Sequence, residues 1–415
     1  VSKYDFRPFV PKPDYHRVAN LGRDHYEHAE RAAANPRVQK MLLEPWAKLY
    51  EAPFVGITTD GKPRANLFSR NPNGAPVEAM AAAATNLLAV LSPEQRKVVM
   101  FPVNAPDWRR WNNTEIYLYQ YGLRLEELTE SVRDGVLAVV RASLSPTGYE
   151  KTRDVMRLNL FLGELVGNTK VFGEFSYNFA LFGAPSTSKP WGWQLMGHHL
   201  ALNCIVVDGQ LLLSPTFMGA EPNFADSGPF AHVHLFQDEE NDGLGLIRSL
   251  SSQQQQQAIV NHSILGTDQP PGRWHPADHL HLGGARRDNS IIPYEGIRAA
   301  EFSSDQRRRL LNLIAAFVDP MPPGPLKARM EEVEHHFAET HFCWIGGTGE
   351  HNPFYYRIQS PVVMIEFDHH SGVYLTNERP EKFHVHTLVR TPNGNDYGVD
   401  LLRMHYQHAH KPKAK

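Results

Sequence analysis

Phe383-His384-Val385-His386-Thr387-Leu388-Val389-Arg390, followed shortly by Asp396-Tyr397-Gly398, reads as a β-strand, then a turn, then a final helix with further histidines from about 396 to 409. Successive strand residues point to opposite faces, so His384 and His386 project from the same one. They stand among Phe383, Val385 and Leu388. Two imidazoles on an otherwise apolar strand need partners, because unpaired buried polar groups are costly. One metal ion would satisfy both, with bonds of roughly 2.0–2.1 Å if it were zinc. A plain hydrogen-bonded pair is the alternative.

Working upstream, Val362-Val363-Met364-Ile365-Glu366-Phe367-Asp368 places a carboxylate inside an apolar strand. Such a group is rarely buried without a cation or a metal. Glu366 is therefore the expected carboxylate ligand or general base, whereas Asp368, nearer the strand end, is expected to be solvated. Gly197-His198-His199 falls within an apolar stretch read as one strand, 191–207. His199 shares a face with Ala201 and Asn203, the more polar side, and is preferred to His198 as a ligand. Arg357 and Arg390 leave strands beside these candidates. Each could grip a substrate carboxylate or close a structural salt bridge, with Glu366 or Asp396 as partner. Trp191, Trp193, Tyr355 and Tyr356 could wall a pocket, with core packing as their default.

Other histidines dilute the pattern. His232-Val233-His234, with Glu239 after it, imitates half of a cupin metal box without the companion box. That pair and His279-Leu280-His281, in a Pro/Gly-rich irregular stretch over 266–300, are read as surface pairs. His369-His370 sits at a turn and is expected to face solvent. His405 and His408 share one side of the last helix, where one of them could reach the site.

The remainder of the chain predicts an α+β fold, with a helical N-terminal half around a mainly antiparallel β core. Residues 1–76 form an arm and first helices, 77–171 a helical region, 172–318 β-hairpins with helices, and 325–410 the C-terminal strands and final helix. Within these, helices are expected at 77–101, 117–121, 123–144, 148–165, 239–260, 304–318 and 325–339. Strands are expected at 175–182, 191–207, 210–213, 354–368, 372–376 and 383–390, and a stiff Pro-rich linker at 319–325. The lysine-rich tail reads as a frayed end. Leu91-Ser92-Pro93-Glu94-Gln95, Leu250-Ser251-Ser252-Gln253-Gln254 and Phe302-Ser303-Ser304-Asp305-Gln306 each carry the S-x-x-Q capping box that starts a helix. Duplication or convergence would explain the three copies. Pro190-Trp191-Gly192-Trp193-Gln194 and Pro353-Phe354-Tyr355-Tyr356-Arg357 also align without gaps, and in that register Asn203 matches Glu366.

Composition narrows the classes. A net charge of -3 over 415 residues lacks the basic footprint of a nucleic-acid binder. No apolar run approaches the roughly 18–20 residues that cross a bilayer. Two cysteines, Cys204 and Cys343, read as buried free thiols. No phosphate-binding loop, dinucleotide fingerprint, G-x-S-x-G elbow or zinc-type cysteine pairing is present.

Together these segments resemble a bacterial and fungal family known as domain of unknown function 3500. The resemblance rests on Phe182-Gly183-Ala184-Pro185, Trp191-Gly192-Trp193-Gln194, Gly197-His198-His199-Leu200 and Pro215-Thr216-Phe217-Met218-Gly219-Ala220-Glu221-Pro222. It continues through Tyr355-Tyr356-Arg357-Ile358, Ile365-Glu366-Phe367-Asp368, His384-Val385-His386, Asn395-Asp396-Tyr397-Gly398 and Leu401-Leu402-Arg403-Met404-His405-Tyr406. The pairs at 232/234 and 279/281 lie outside that pattern, and the resemblance brings no catalytic residues with it.

The expected function is a metal-dependent enzyme acting on a small organic substrate. His199, His384 and His386 would bind the metal, Glu366 would complete the shell or act as base, and Arg390, with Arg357, would orient substrate. Such a donor set suits non-haem iron, but also copper, manganese or zinc. Oxidoreductase chemistry leads; a zinc-type metallohydrolase and a non-enzymatic small-molecule binding protein are the alternatives.

Overall fold

Three serines set the frame. In the computed structural model, which describes residues 5–409, Ser92, Ser251 and Ser303 each close the expected capping box with Gln95, Gln254 and Gln306. Two of these boxes open corresponding helices in a series of elements that occurs twice. The first series runs from helix Val77–Val90 to helix Pro93–Val99 and strand β1 (Met100–Phe101), then β2 (Leu123–Arg124) and helices Glu130–Ser143 and Pro146–Val166. It ends in four strands, β3 (Tyr177–Phe182), β4 (Trp191–Gly197), β5 (Leu200–Val207) and β6 (Gln210–Ala220). The second runs from helix Gln237–Ser249 to helix Ser252–Ala258, β7 (Ile259–Asn261), β8 (Ile297–Arg298) and helices Ser304–Val318 and Pro323–His335. Its four strands are β9 (His341–Gly346), β10 (Phe354–Gln359), β11 (Met364–His369) and β12 (Val385–Arg390), and helix Val399–Ala409 follows.

The pairings repeat as well. β1 lies parallel to β3 and β7 parallel to β9, while β2 and β8 pair antiparallel with those same strands. Gly122 and Gly296, just before β2 and β8, have φ of +76° and +80°. An added Cβ would lie 2.3 Å from Phe179 O and 2.1 Å from Phe342 O, so both positions need glycine. Gln194 pairs with Asn203 where Arg357 pairs with Glu366, the register implied by the gapless alignment.

The two meanders join through antiparallel β6–β12, giving the order β1-β3-β4-β5-β6-β12-β11-β10-β9-β7. The fold is thus α+β with a mainly antiparallel sheet, as expected. Trp191, Trp193, Tyr356, Ile365 and Phe367 form one core with Val136, Val140, Leu310 and Ile314 of the helices. On the opposite face Ala201, Phe217 and Leu388 pack with Trp108, Trp111 and Ala285. These last three come from the long segments between β1 and β2 (102–122) and between β7 and β8 (262–296), so loops cover this second face. Among the described residues no helix is long and apolar enough to cross a membrane.

Several boundaries differ from expectation, each for a local reason. The stretch 191–207 breaks at Gly197-His198-His199, and 354–368 breaks at Ser360-Pro361, where proline removes a ladder donor. The helices expected at 77–101 and 239–260 each split at the serine that caps the next one. Residues 117–121 are not helical, and 372–376 forms a loop whose amides bind Glu221. The Pro-rich 319–325 stretch packs against the neighbouring helix pair, with Ser145 Oγ donating to Asp319 O at 2.7 Å. The lysine-rich tail lies outside the described residues.

Candidate metal centre

The loop-covered face is where the histidines meet. Gly197 and Leu200 pair directly, leaving His198-His199 as a two-residue hairpin turn. Gly197 permits this because a Cβ there would lie 2.6 Å from the Tyr177 ring. His199 takes φ of 61°, a left-handed conformation uncommon for a side chain of its size. Its N–H donates to Asn113 O at 3.2 Å, and its carbonyl accepts from Gly219 N at 2.8 Å. The two rings stack at 3.9 Å, and His198 Nδ1 lies 2.8 Å from Asn159 Oδ1. His198 is therefore a hydrogen-bonded core histidine, and His199 is left to face the cluster.

His384 immediately precedes β12 and His386 lies within it, on the same face. The His199 ring is 5.4 Å from that of His384 and 5.0 Å from that of His386. One potential ligand atom from each of the three lies within 4.8 Å of the others. His384 Nδ1 donates to Ser371 O at 2.9 Å, which turns the lone pair of Nε2 inward, 3.2 Å from His386 Nε2. A carbonyl that fixes the tautomer of a ring from behind is the arrangement used by metal-binding histidines. Burial, with neighbouring histidines adding to it, holds all three rings well below the ordinary imidazole range, so they are neutral and ready to donate lone pairs. These residues fit a divalent metal.

Asp368 stands directly opposite His386 in the β11–β12 ladder, and His370 follows it on the same face. Both are buried, against the expectation of solvent exposure. Burial raises the Asp368 carboxyl well above its ordinary value. His279 and His281, expected at the surface, reach this group from the covering segment: the His279 ring stacks on His370 at 4.0 Å, and His281 lies 6.2 Å from His386. His369 turns to the other face, where Nε2 lies 3.1 Å from Glu240.

Glu366 is buried as expected, yet it is not among the residues whose ligand atoms converge. One oxygen accepts from Leu282 N at 2.8 Å and Tyr355 OH at 2.6 Å, the other from Gly283 N at 2.8 Å. Burial pushes its carboxyl up, but His281, Arg357 and these donors outweigh that and hold it below the usual range. Its visible work is to fasten the covering segment to the sheet. Arg390 is engaged by Asp288 at 2.7 Å and Asp396 at 2.9 Å, and Arg357 by Glu295 at 2.8 Å. Both arginines thus close salt bridges, Arg390 with the expected partner Asp396 and Arg357 with Glu295 in place of Glu366. Tyr355 faces the site, whereas Trp191, Trp193 and Tyr356 pack on the helix side.

The remaining histidine pairs stand apart. His232 and His234 are exposed, and Glu239 pairs with Lys151. His405 is held by Asp208 at 2.6 Å, and His408 is exposed. Arg286, which the sequence did not single out, is buried between two rings, 4.2 Å from the centroid of Trp46 and 5.2 Å from that of Tyr119. No pattern of spacing announced it.

The family model described as "Protein of unknown function (DUF3500)" matches residues 73–399, and the chain belongs to that family. No curated protein and no solved structure matches it.

Proposed function

We propose that this member of the family is a metal-dependent enzyme acting on a small organic molecule, with one divalent ion held by His199, His384 and His386. The observation that carries the reading is the meeting of three neutral imidazoles from distant parts of the chain, one on a β4–β5 turn and two at β12. Three protein ligands leave a coordination position open, which is the habit of catalytic sites; structural sites are closed by four. Iron or copper would supply electron transfer there, and zinc or manganese Lewis acidity.

Oxidoreductase chemistry is favoured over hydrolysis by the state of Glu366. A carboxylate tied by three donors and held below its ordinary range is a weak general base for activating water. The enclosure of the rings, none more than 5% exposed, favours one competing reading, a buried ion with a structural role. Metal analysis of the purified protein, before and after His384→Ala and His386→Ala, tests the proposal. Iron or copper lost in both variants supports an oxidase or oxygenase, and zinc supports a hydrolase. A protein that neither carries nor takes up metal would sink the reading.

A further inference from the structure

Beside the three imidazoles lies a second group with a different donor set. One ligand atom each from His279, Asp368 and His370 falls within 4.8 Å of the others. Two of these residues carry a buried atom that finds no hydrogen-bond partner among the described residues, Asp368 Oδ1 and His370 Nε2. His370 Nε2 does lie 3.1 Å from Asp368 Oδ2, but that contact is not aligned as a hydrogen bond. Oδ2 itself accepts from Leu280 N at 3.2 Å, so the orphan oxygen is the one left for a further partner.

The surroundings of Asp368 favour a cation. Asp368 is fully buried. The Arg273 guanidinium is 4.8 Å from the Tyr355 ring centroid, and its Nη1 donates to Leu280 O. Glu366 places a second buried carboxylate on the same face of the strand, and buried acidic groups call for a cation. A lysine or arginine would need only the carboxylate. A transition metal would use the carboxylate oxygen and the two ring nitrogens together, and two imidazoles with one carboxylate is an established set for such ions.

We propose that His279, Asp368 and His370 bind a second divalent transition-metal ion, next to the one assigned to His199, His384 and His386. The two groups abut, the His370 and His386 rings being 3.8 Å apart. The site is therefore dinuclear, and only that adjacency rests on the reading above; the second ion has ligands of its own. Because His279 belongs to the covering segment and Asp368 to the sheet, with His370 the residue just past the end of β11, the second ion also ties the cover down.

The test is metal stoichiometry on the full chain, stripped with chelator, reloaded with zinc, desalted and measured by elemental analysis. Wild type is expected to hold about two ions, and Asp368→Asn, His279→Ala and His199→Ala about one each. Asp368→Asn keeps shape and an acceptor for Leu280, His279→Ala lies on a loop, and circular dichroism confirms the fold of both. Zinc loading should also slow protease cleavage within 262–296 in wild type, less so in His279→Ala. Wild type holding one ion, lost in His199→Ala and kept in Asp368→Asn and His279→Ala, overturns the second site and spares the first. Two ions kept in both Asp368→Asn and His279→Ala overturn it as well. One ion lost in Asp368→Asn but kept in His199→Ala supports this site and overturns the first.

Discussion

Gly219 stands directly opposite His386 across the β6–β12 ladder, and a Cβ there would lie 2.8 Å from the His386 ring and 3.1 Å from that of His199. The missing side chain is what lets two imidazoles share the space. Gly219→Ala should push both rings aside, weakening metal retention at least tenfold and costing about 1–3 kcal/mol of stability. Gly245→Ala is the control, since a Cβ there meets only Arg309 Nη1 at 3.8 Å on a helix. Metal content and denaturant melts of the two variants, side by side, check this. Equal metal content would refute it.

Arg390 is buried between Asp288 and Asp396. Arg390→Met leaves Asp396 without its cation, and breaking a buried pair in this way costs about 3–5 kcal/mol. Urea unfolding measures the loss. Wild-type stability in that variant would contradict the structural role.

Acid should expose the same network. Burial pushes the Asp288 carboxyl up, but Arg390 and Arg109 outweigh it and hold the group below its ordinary value of 3.8. The unfolded chain therefore takes up this proton at higher pH than the folded chain does. The contribution is complete above 3.8 and is lost as pH falls through the lower folded value. Asp396 shifts the opposite way because burial dominates there, so the variant to compare is Asp288→Asn. Its stability should fall less steeply than wild type between about pH 5 and pH 2. Parallel curves would contradict the assignment.

Glu366→Gln replaces an oxygen that accepts with a nitrogen that donates, leaving one of Leu282 N, Gly283 N or Tyr355 OH unpaired. The expected cost is about 1–3 kcal/mol, with faster proteolysis inside 262–296 because the fastening is weakened. A variant with unchanged stability and proteolysis but no turnover would instead make Glu366 a catalytic base.

The period-two reading of His384 and His386 carried through because an edge-to-edge apolar strand leaves little freedom about which side chains share a face. The register linking Asn203 to Glu366 was legible for the same reason: gapless apolar strands preserve pairing. The preference for His199 over His198 rests on its polar neighbours, and His199 does face the other two rings, although from a turn whose left-handed φ no strand pattern shows. Asp368, His370 and His279 were missed because a strand end next to a turn normally meets water. Here the 262–296 segment folds back over it, a tertiary event that local spacing does not encode. The split at Ser360-Pro361 was hidden by Val362 and Val363, which prolong the apolar run across the turn.

The doubled series of elements has an evolutionary edge. Registers place Ile205 where its counterpart strand has Asp368 (Gly192 and Tyr355 being their ladder neighbours), and Val207 where it has His370. One half keeps hydrocarbon at positions where the other carries a carboxylate and an imidazole. Symmetry at the level of backbone has thus been broken by a handful of side chains. Installing the missing donors in the silent half, or erasing them from the other, is a route by which such a scaffold could gain or lose chemistry without being refolded.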